Sequence, residues 1–386
     1  GNVSIQGGAQ ASRTSNVYID GVGQKDYVLK NGITGQDSSR GNPFPQLAIG
    51  EYRVISSNYK AEFDQVSSVA ITAVTRSGTN EFHGEAFFDY TDQSLRHTTP
   101  LEESNGGTKA ETRDMQFGVA LGGPIIQDKM HFFVTYEGKR QQQPTDIYPG
   151  GSYAVSDFPS EYQGLFGADY TKFNEDLIFG KIDFSPSDAD LIELSVKIRR
   201  ETQEGGFGGQ NARTRLINTN NDETRGLLRW EHTSDSWIND LRITYEDSAW
   251  QPTPASFGNG YNFYTAGTNP TFLLGTGSGA NYQDKGQKGW GIQNDFTYTG
   301  VVGHTIKAGV KAKWVTLNTL QRNNTNAQYY YNTEYPGGSF NDETPYRLVF
   351  GVPVDGVGDG SVESKNFQLG IYVQDDWEVN DRLTLN

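Results

Sequence analysis

The side chains able to do acid–base, nucleophilic or metal chemistry are scattered through this sequence. Its five histidines (83, 97, 131, 232 and 304) include no HExxH pair. No GxSxG elbow or P-loop occurs, and the glycine-rich run at Phe207-Gly208-Gly209 has the character of a loop, not a phosphate cradle. Asp375 and Asp376 are adjacent, so in a strand they point to opposite faces and make a poor carboxylate dyad. The absence of cysteine removes thiol catalysis, Cys-ligated zinc and disulfide scaffolds. Asp355, Asp359 and Glu363, in DGVGDGSVE, offer oxygen ligands of the kind Ca²⁺ takes, but their spacing departs from the EF-hand loop and makes them a weak metal candidate. No enzymatic activity and no cofactor are expected.

What remains is suited to binding. Trp250, Phe257, Tyr261, Phe263 and Tyr264 form one aromatic cluster, and Tyr329, Tyr330, Tyr331 and Tyr335 a second, both in segments rich in Gly, Asn and Thr. Rings give contact area at low entropic cost, which suits a platform for a sugar or peptide; packing of loop on loop is the competing use. Lys25, Asp26, Tyr27 and Arg40 make a second candidate ligand set in N-terminal loops, against ordinary solvated loop.

The elements that position these residues are strands. The formal charge is −15, with 32 basic and 47 acidic residues, which weighs against a nucleic-acid partner and mildly against a strongly anionic ligand. No apolar run approaches the roughly 20 residues of a membrane helix, yet a membrane β-barrel needs only alternate apolar positions. That alternation is present throughout. Phe82, Gly84, Ala86, Phe88 and Tyr90 oppose His83, Glu85 and Asp89, with Phe87 as an exception. Ile192, Leu194, Val196 and Ile198 oppose Glu193, Ser195, Lys197 and Arg199, and Ile306, Ala308, Val310, Ala312 and Trp314 oppose Lys307, Lys311 and Lys313. Similar segments lie near 115–122, 130–137, 176–184, 224–232, 240–246, 287–298 and 366–374. They predict about ten strands from residue 80 onward, with another starting at Leu383. Residues 1–79 differ, with short pieces at Asn16–Asp20 and Val69–Arg76 among turn residues; the second, small or apolar on both faces, is expected to be a buried strand.

The connections alternate in length. SPSDAD, TSDSWIN, TGVVGH and EVNDR are short, whereas 141–173, 201–222, 248–286 and 316–363 are long. Short turns at one end and long loops at the other are the plan of an outer-membrane barrel. The aromatic residues Tyr90, Tyr136, Trp230, Trp290, Tyr298, Trp314 and Trp377 fall at strand ends, as interface girdles do. The apolar face then meets lipid and the charged face a lumen. Slipping the 305–315 strand by one residue would turn three lysines to lipid, at about 2–4 kcal/mol each at the midplane and less near the interfaces, roughly 5–10 kcal/mol in all. A soluble β-sandwich or propeller is the alternative, because its strands alternate too.

NVYIDGV (16–22), EYRVISSNYKAEFDQVSSVAITAVTRSGTNEFHGEAFFDY (51–90), MQFGVALGGPIIQDKMHFFVTYEGKR (115–140) and LGIYVQDDWEVNDRLTLN (369–386) resemble the TonB-dependent outer-membrane receptors, in particular their Oar-like branch, whose members often carry a carboxypeptidase-regulatory-like domain. The stretch Asp64-Gln65-Val66-Ser67-Ser68 departs from the Gly-rich residues such plugs often carry there. The resemblance implies an all-β chain with a small α/β plug portion: a transmembrane antiparallel β-barrel of about 22 strands, of which this sequence is expected to be a fragment. Residues 1–79 would be the later part of the plug and 80–386 the first ten or so barrel strands. It further implies TonB, with its inner-membrane energising complex, as partner, the Gram-negative outer membrane with its lipopolysaccharide as location, and transport of a scarce large ligand such as a siderophore, glycan, peptide or cobalamin. Export or signalling in place of import is the variant within the family. In that frame the lumen cations Arg199, Arg225, Arg229, Arg242, Lys307 and Lys311 would pair with plug carboxylates such as Glu51, Glu62 and Asp64, through weak contacts suited to a plug that moves.

Overall fold

The computed structural model describes residues 14–29, 39–56, 60–61, 63, 66–98, 103, 109–265, 269–277, 282–322, 326–333, 340–351, 360–380 and 382–385. Its main body is one eleven-stranded antiparallel sheet. The strands are β5 (His83–Asp92), β6 (Arg113–Ile126), β7 (Met130–Ile147), β8 (Gly167–Ser187), β9 (Asp190–Gly205), β10 (Ile217–Thr233), β11 (Trp237–Pro254), β14 (Tyr282–Tyr298), β15 (His304–Arg322), β18 (Ser361–Asn380) and β19 (Leu383–Leu385). Each pairs with the one before it in this series, and β5 and β19 are the edges.

Burial across this sheet is the inverse of a soluble core. Leu194, Val196, Leu228, Ile292, Val310, Leu369, Ile371 and Val373 are exposed on one face. On the other, Glu175, Lys197, Arg199, Glu223, Arg225 and Glu246 are buried. A sandwich or propeller would cover the apolar face, so that alternative fails; an apolar exterior around a polar interior is the barrel arrangement. The exposed rings mark the band's height. Phe367 and Trp377 both face outward on β18, ten residues apart. At about 3.3 Å per residue and a tilt near 40°, that separation spans roughly 25 Å, the height of the apolar band of such barrels.

The sequence underestimates strand length. β8 has 21 residues and β18 has 20, against the roughly 9–11 that cross the hydrocarbon. The excess carries the strands past the apolar band on the side of the long connections. Those connections hold structure of their own. β12 (Gly260–Thr265), β13 (Asn269–Gly275), β16 (Gln328–Asn332) and β17 (Arg347–Val349) form a four-stranded sheet in the order β13-β12-β16-β17. A short helix, α1 (Ser160–Gln163), packs beside it.

The N-terminal residues form a third sheet of β1 (Asn16–Ile19), β2 (Val22–Gly23), β3 (Ile49–Ile55) and β4 (Ala70–Thr75), in the order β2-β1-β4-β3. β4 is flanked on both sides, parallel to β1 and antiparallel to β3, which suits its small side chains. Asp20 and Gly21, at φ 48° and 79°, make the two-residue turn between β1 and β2 that an Asp-Gly pair favours.

Candidate functional site

The inner wall carries two rows of alternating charge. In the first, Lys197 pairs with Glu223, Glu223 with Arg225, Arg225 with Glu246 at 3.1 Å, and Glu246 with Lys313 at 2.8 Å. The second runs from Lys181 to Glu193 (2.7 Å), Arg229 (2.7 Å), Asp240 (2.9 Å), Arg242 (2.5 Å) and Asp295 (2.8 Å), where the Tyr372 hydroxyl donates at 2.9 Å. Inward positions of neighbouring strands stand opposite in register, as Arg229 does to Glu193 and Arg242 to Gln293. Cross-strand pairs, same-strand i,i+2 pairs (Glu223–Arg225 and Asp240–Arg242) and one contact across an intervening strand (Glu246–Lys313) together build the rows.

The N-terminal sheet and its loops dock on this wall through backbone and side chains alike. Glu137 accepts from the Leu47 N–H at 2.7 Å, Glu175 from the Asn42 N–H at 3.1 Å and Gln374 from the Ala61 N–H at 2.9 Å. Lys139 donates to the Arg40 carbonyl at 3.1 Å. Ser39 donates to Glu201 at 2.8 Å and accepts from Arg199 at 2.7 Å. The Lys181 ammonium reaches the Thr75 hydroxyl at 3.3 Å. Among the described residues two contacts have an ionic partner on each side: Lys60 with Asp376 at 2.6 Å, and Arg76, just after β4, with Glu85 of β5 at 2.7 Å. One apolar patch joins the two bodies: Phe44, Leu47 and Ala48 pack against Ala120, Phe133 and Phe179, with Phe87 at the margin. The exception to alternation at Phe87 thus sits where the N-terminal segment rests. Gly21, at the β1–β2 turn, touches the second row, where an added Cβ would lie 2.9 Å from the Arg242 guanidinium carbon.

The residues singled out from sequence fall as follows. Lys25, Asp26 and Tyr27 are held against the wall. Gln287 donates to the Lys25 carbonyl at 3.0 Å and accepts from the Tyr27 N–H at 2.9 Å, and the Lys313 ammonium lies 4.9 Å from the Tyr27 ring centre. Asp26 accepts from the Val28 and Leu29 N–H groups, a local turn. Arg40 donates to Gln143 at 2.8 Å. Glu51 is exposed and pairs with Arg53 of its own strand at 2.8 Å; Glu62 and Asp64 lie outside the described residues. Arg199, Arg225, Arg229 and Arg242 all pair with wall carboxylates, including Glu201, Glu223, Asp240 and Asp295. Lys307 and Lys311 stand on the inward face of β15, Lys311 lining a cavity with Ala61, Gln293 and Gln368. Asp355, Asp359 and Tyr335 lie outside the described residues, and Glu363 is 3.9 Å from Lys365 on the surface. Sequence reasoning missed Lys60, Glu137, Glu175 and Gln287. The inward parity of their strands was the available signal for the last three.

Parts of the two aromatic clusters meet in one place. β12 and β16 run parallel, with Tyr261 opposite Tyr329 and Phe263 opposite Tyr331. Those ring pairs stack at 5.7 and 4.9 Å. Phe263 and Tyr331 are buried with Ile147, Phe158, Phe207, Ala212 and Phe272, so this face of the sheet is the core of a loop cap. Tyr264 and Tyr330, 6.0 Å apart, lie on the opposite face. Phe257 is exposed and meets Tyr282 at 6.1 Å. Trp250 points inward, its indole N–H without a partner, beside Asp26, Val28 and Leu29.

An open, apolar-faced sheet curled about an ion-paired interior with a docked N-terminal sheet defines the class: part of an outer-membrane barrel with material inside it. The chain belongs to the outer membrane beta barrel domain family, whose model matches residues 74–150 and 148–386. It is 32% identical over 120 residues to the TonB-dependent transporter Oar of Myxococcus xanthus, a match covering 29% of this chain and 11% of Oar. In fold it is similar to the outer membrane transporter YddB of Escherichia coli (TM-score 0.65, 10% identity, 95% of this chain and 47% of that one). It is also similar to the siderophore receptor PirA of Acinetobacter baumannii (TM-score 0.56, 14% identity, 96% and 47%). The chain thus spans about half the length of these solved relatives. The chain carries part of an outer-membrane β-barrel.

Proposed function

We propose that the protein binds a scarce, large ligand above the membrane and carries it through a plugged barrel, opened by TonB and its inner-membrane energising complex. On this reading residues 1–79 belong to the plug and residues 80–386 to the barrel. Ligand meets the long-connection side, where the loop cap and the plug loops stand. The carrying observation is how the N-terminal sheet is held. Apart from the patch at Phe44, Leu47 and Ala48, its contacts with the wall among the described residues are individual hydrogen bonds, to backbone and side chains alike, and two partly exposed ion pairs, Lys60–Asp376 and Arg76–Glu85. Each hydrogen bond is worth about 0.5–3 kcal/mol net, the upper part for those to charged groups, and water can replace each as it breaks. The wall meanwhile pairs many of its buried charges with one another, in the two rows and where Arg199 meets Glu175 and Glu201. A plug of this kind can shift without leaving a lumen full of unpaired ions.

The test is conductance. In planar bilayers the full-length receptor is expected to be closed, and deletion of the plug, residues 14–79 included, is expected to open a stable large channel. A full-length protein that conducts as freely as the deletion would refute the reading. Dependence of transport on TonB is then read from cells with and without it.

A further inference from the structure

The face of the loop sheet opposite its aromatic core gathers positive charge that, among the described residues, no carboxylate pairs. Arg215 precedes β10 and is only 8% exposed. Its guanidinium donates to the Asn262 side-chain oxygen, and its Nε has no partner. Asn262 is itself fixed, donating to the Tyr329 carbonyl at 3.1 Å and to Gln328 at 3.3 Å, and Gln328 donates to the Thr276 carbonyl at 3.0 Å. A chain of neutral amides therefore aims the cation without cancelling it. The acidic groups that act on Arg215 are the phenols of Tyr264 and Tyr330. Burial without a counter-charge pulls Arg215 below the ordinary arginine range.

A second cation stands beside it. Arg347 is the cross-strand neighbour of Tyr330, and its guanidinium lies 5.0 Å from that ring's centre. Tyr264 feels Tyr330, Arg215, Tyr346 and Arg347 together. Five side chains, two cationic and three phenolic, thus share one small region. In a chain of net charge −15, the other arginines buried in the wall, Arg199 and Arg225, meet carboxylates, and nearby Arg213 pairs with Asp169 at 2.6 Å. A buried charge is costly unless paired, so a cation held by amides and rings fits a site whose anion arrives with the ligand.

We propose that Arg215 and Arg347, with Tyr264, Tyr330 and Tyr346, form an oxyanion subsite that takes a carboxylate or phosphate borne beside a flat or ring-shaped group. Guanidinium supplies the paired donors such anions accept, and the phenols supply further donors and ring faces. This rests on the reading of the long connections as the ligand side. It also revises the expectation that the acidic balance disfavours anions, since local charge governs recognition.

The experiment is calorimetric titration of the full-length receptor in nanodiscs, with phenyl phosphate and inorganic phosphate as probes. Phenyl phosphate is expected to bind, more tightly than inorganic phosphate. R215Q is expected to weaken it at least tenfold, R347Q about threefold or more, and R213Q not at all. Arg347 is exposed, so R347Q carries the test even where R215Q disturbs the cap. Nanodiscs with and without lipopolysaccharide separate the sources: unchanged affinity assigns the anion to a soluble ligand, and a loss that R215Q abolishes assigns it to outer-leaflet phosphate. Wild type that binds neither probe, or binding within twofold of wild type in both R215Q and R347Q, overturns the subsite. A closed full-length channel opened by plug deletion would still support the transport reading in that case.

Discussion

The carboxylate of Glu137, on the inner wall, accepts a hydrogen bond from the backbone N–H of Leu47 at 2.7 Å, and both residues are buried. The wall thus grips the main chain here while the Leu47 side chain packs in the apolar patch beside Phe133 and Phe179. Glu137→Ala leaves that amide buried and unmatched, at about 1–3 kcal/mol. Docking of residues 39–56 is expected to loosen while the barrel stays intact. Limited proteolysis should show faster cleavage in this segment, with heat-modifiable migration of the barrel unchanged.

Glu223 holds the first charge row together, between Lys197 and Arg225. Replacing it with Gln sets two buried cations against each other. Breaking one member of a buried pair costs about 3–5 kcal/mol, whereas replacing the set with apolar groups of similar volume costs far less. E223Q is expected to lower the thermal midpoint clearly, and the triple change K197M, E223L and R225M to recover much of the loss. Additive losses would contradict the row as a unit.

Val310 and Lys311 are neighbours on β15 with opposite surroundings, the first exposed on the apolar face and the second inward. Val310→Lys is expected to cost about 2–4 kcal/mol in a bilayer near the midplane. Folding yield into vesicles of defined thickness measures it. A cost that vanishes in lipid as it would in water would contradict a membrane-facing Val310.

Tyr162, in α1 of the loop cap, is pushed up to about 12 by burial, with the charges of Asp342 and Glu161 adding to the shift. A raised phenol keeps its proton in the folded cap, while an unfolded tyrosine loses it near pH 10. The folded state then binds more protons, and stability falls as pH rises from about 10 to about 12. Below pH 10 this residue contributes no pH dependence. Tyrosine absorbance and near-ultraviolet circular dichroism should show cap loosening over that interval, and Tyr162→Phe should reduce it.

Much of this architecture was legible because a period of two is hard to disguise over so many segments. Parity alone puts Arg199, Arg225 and Lys311 on the inner face. Partners were less legible. Whether Arg225 meets a carboxylate of its neighbour strand or one from the N-terminal unit depends on register, which parity leaves open. The loop sheet was hidden for a related reason: Tyr261 and Tyr329 belong to parallel partners 68 positions apart, and no local pattern joins such strands. Lys25, Asp26 and Tyr27 read as loop because they are loop. Their anchoring to Gln287 is a contact across 260 positions.

The orientation of the sheet faces underlies every step above, and the cysteine-free sequence makes it directly measurable. Nitroxide labels placed singly from Phe367 to Gln374 in the full-length protein in lipid report contact with apolar oxygen and with a water-soluble nickel chelate. Residues 367, 369, 371 and 373 are expected to favour oxygen, and 368, 370, 372 and 374 to lose that contact, in strict alternation. Equal oxygen contact at both parities, or chelate contact at Leu369 and Ile371 matching that of a free loop, would show that this face does not meet the membrane.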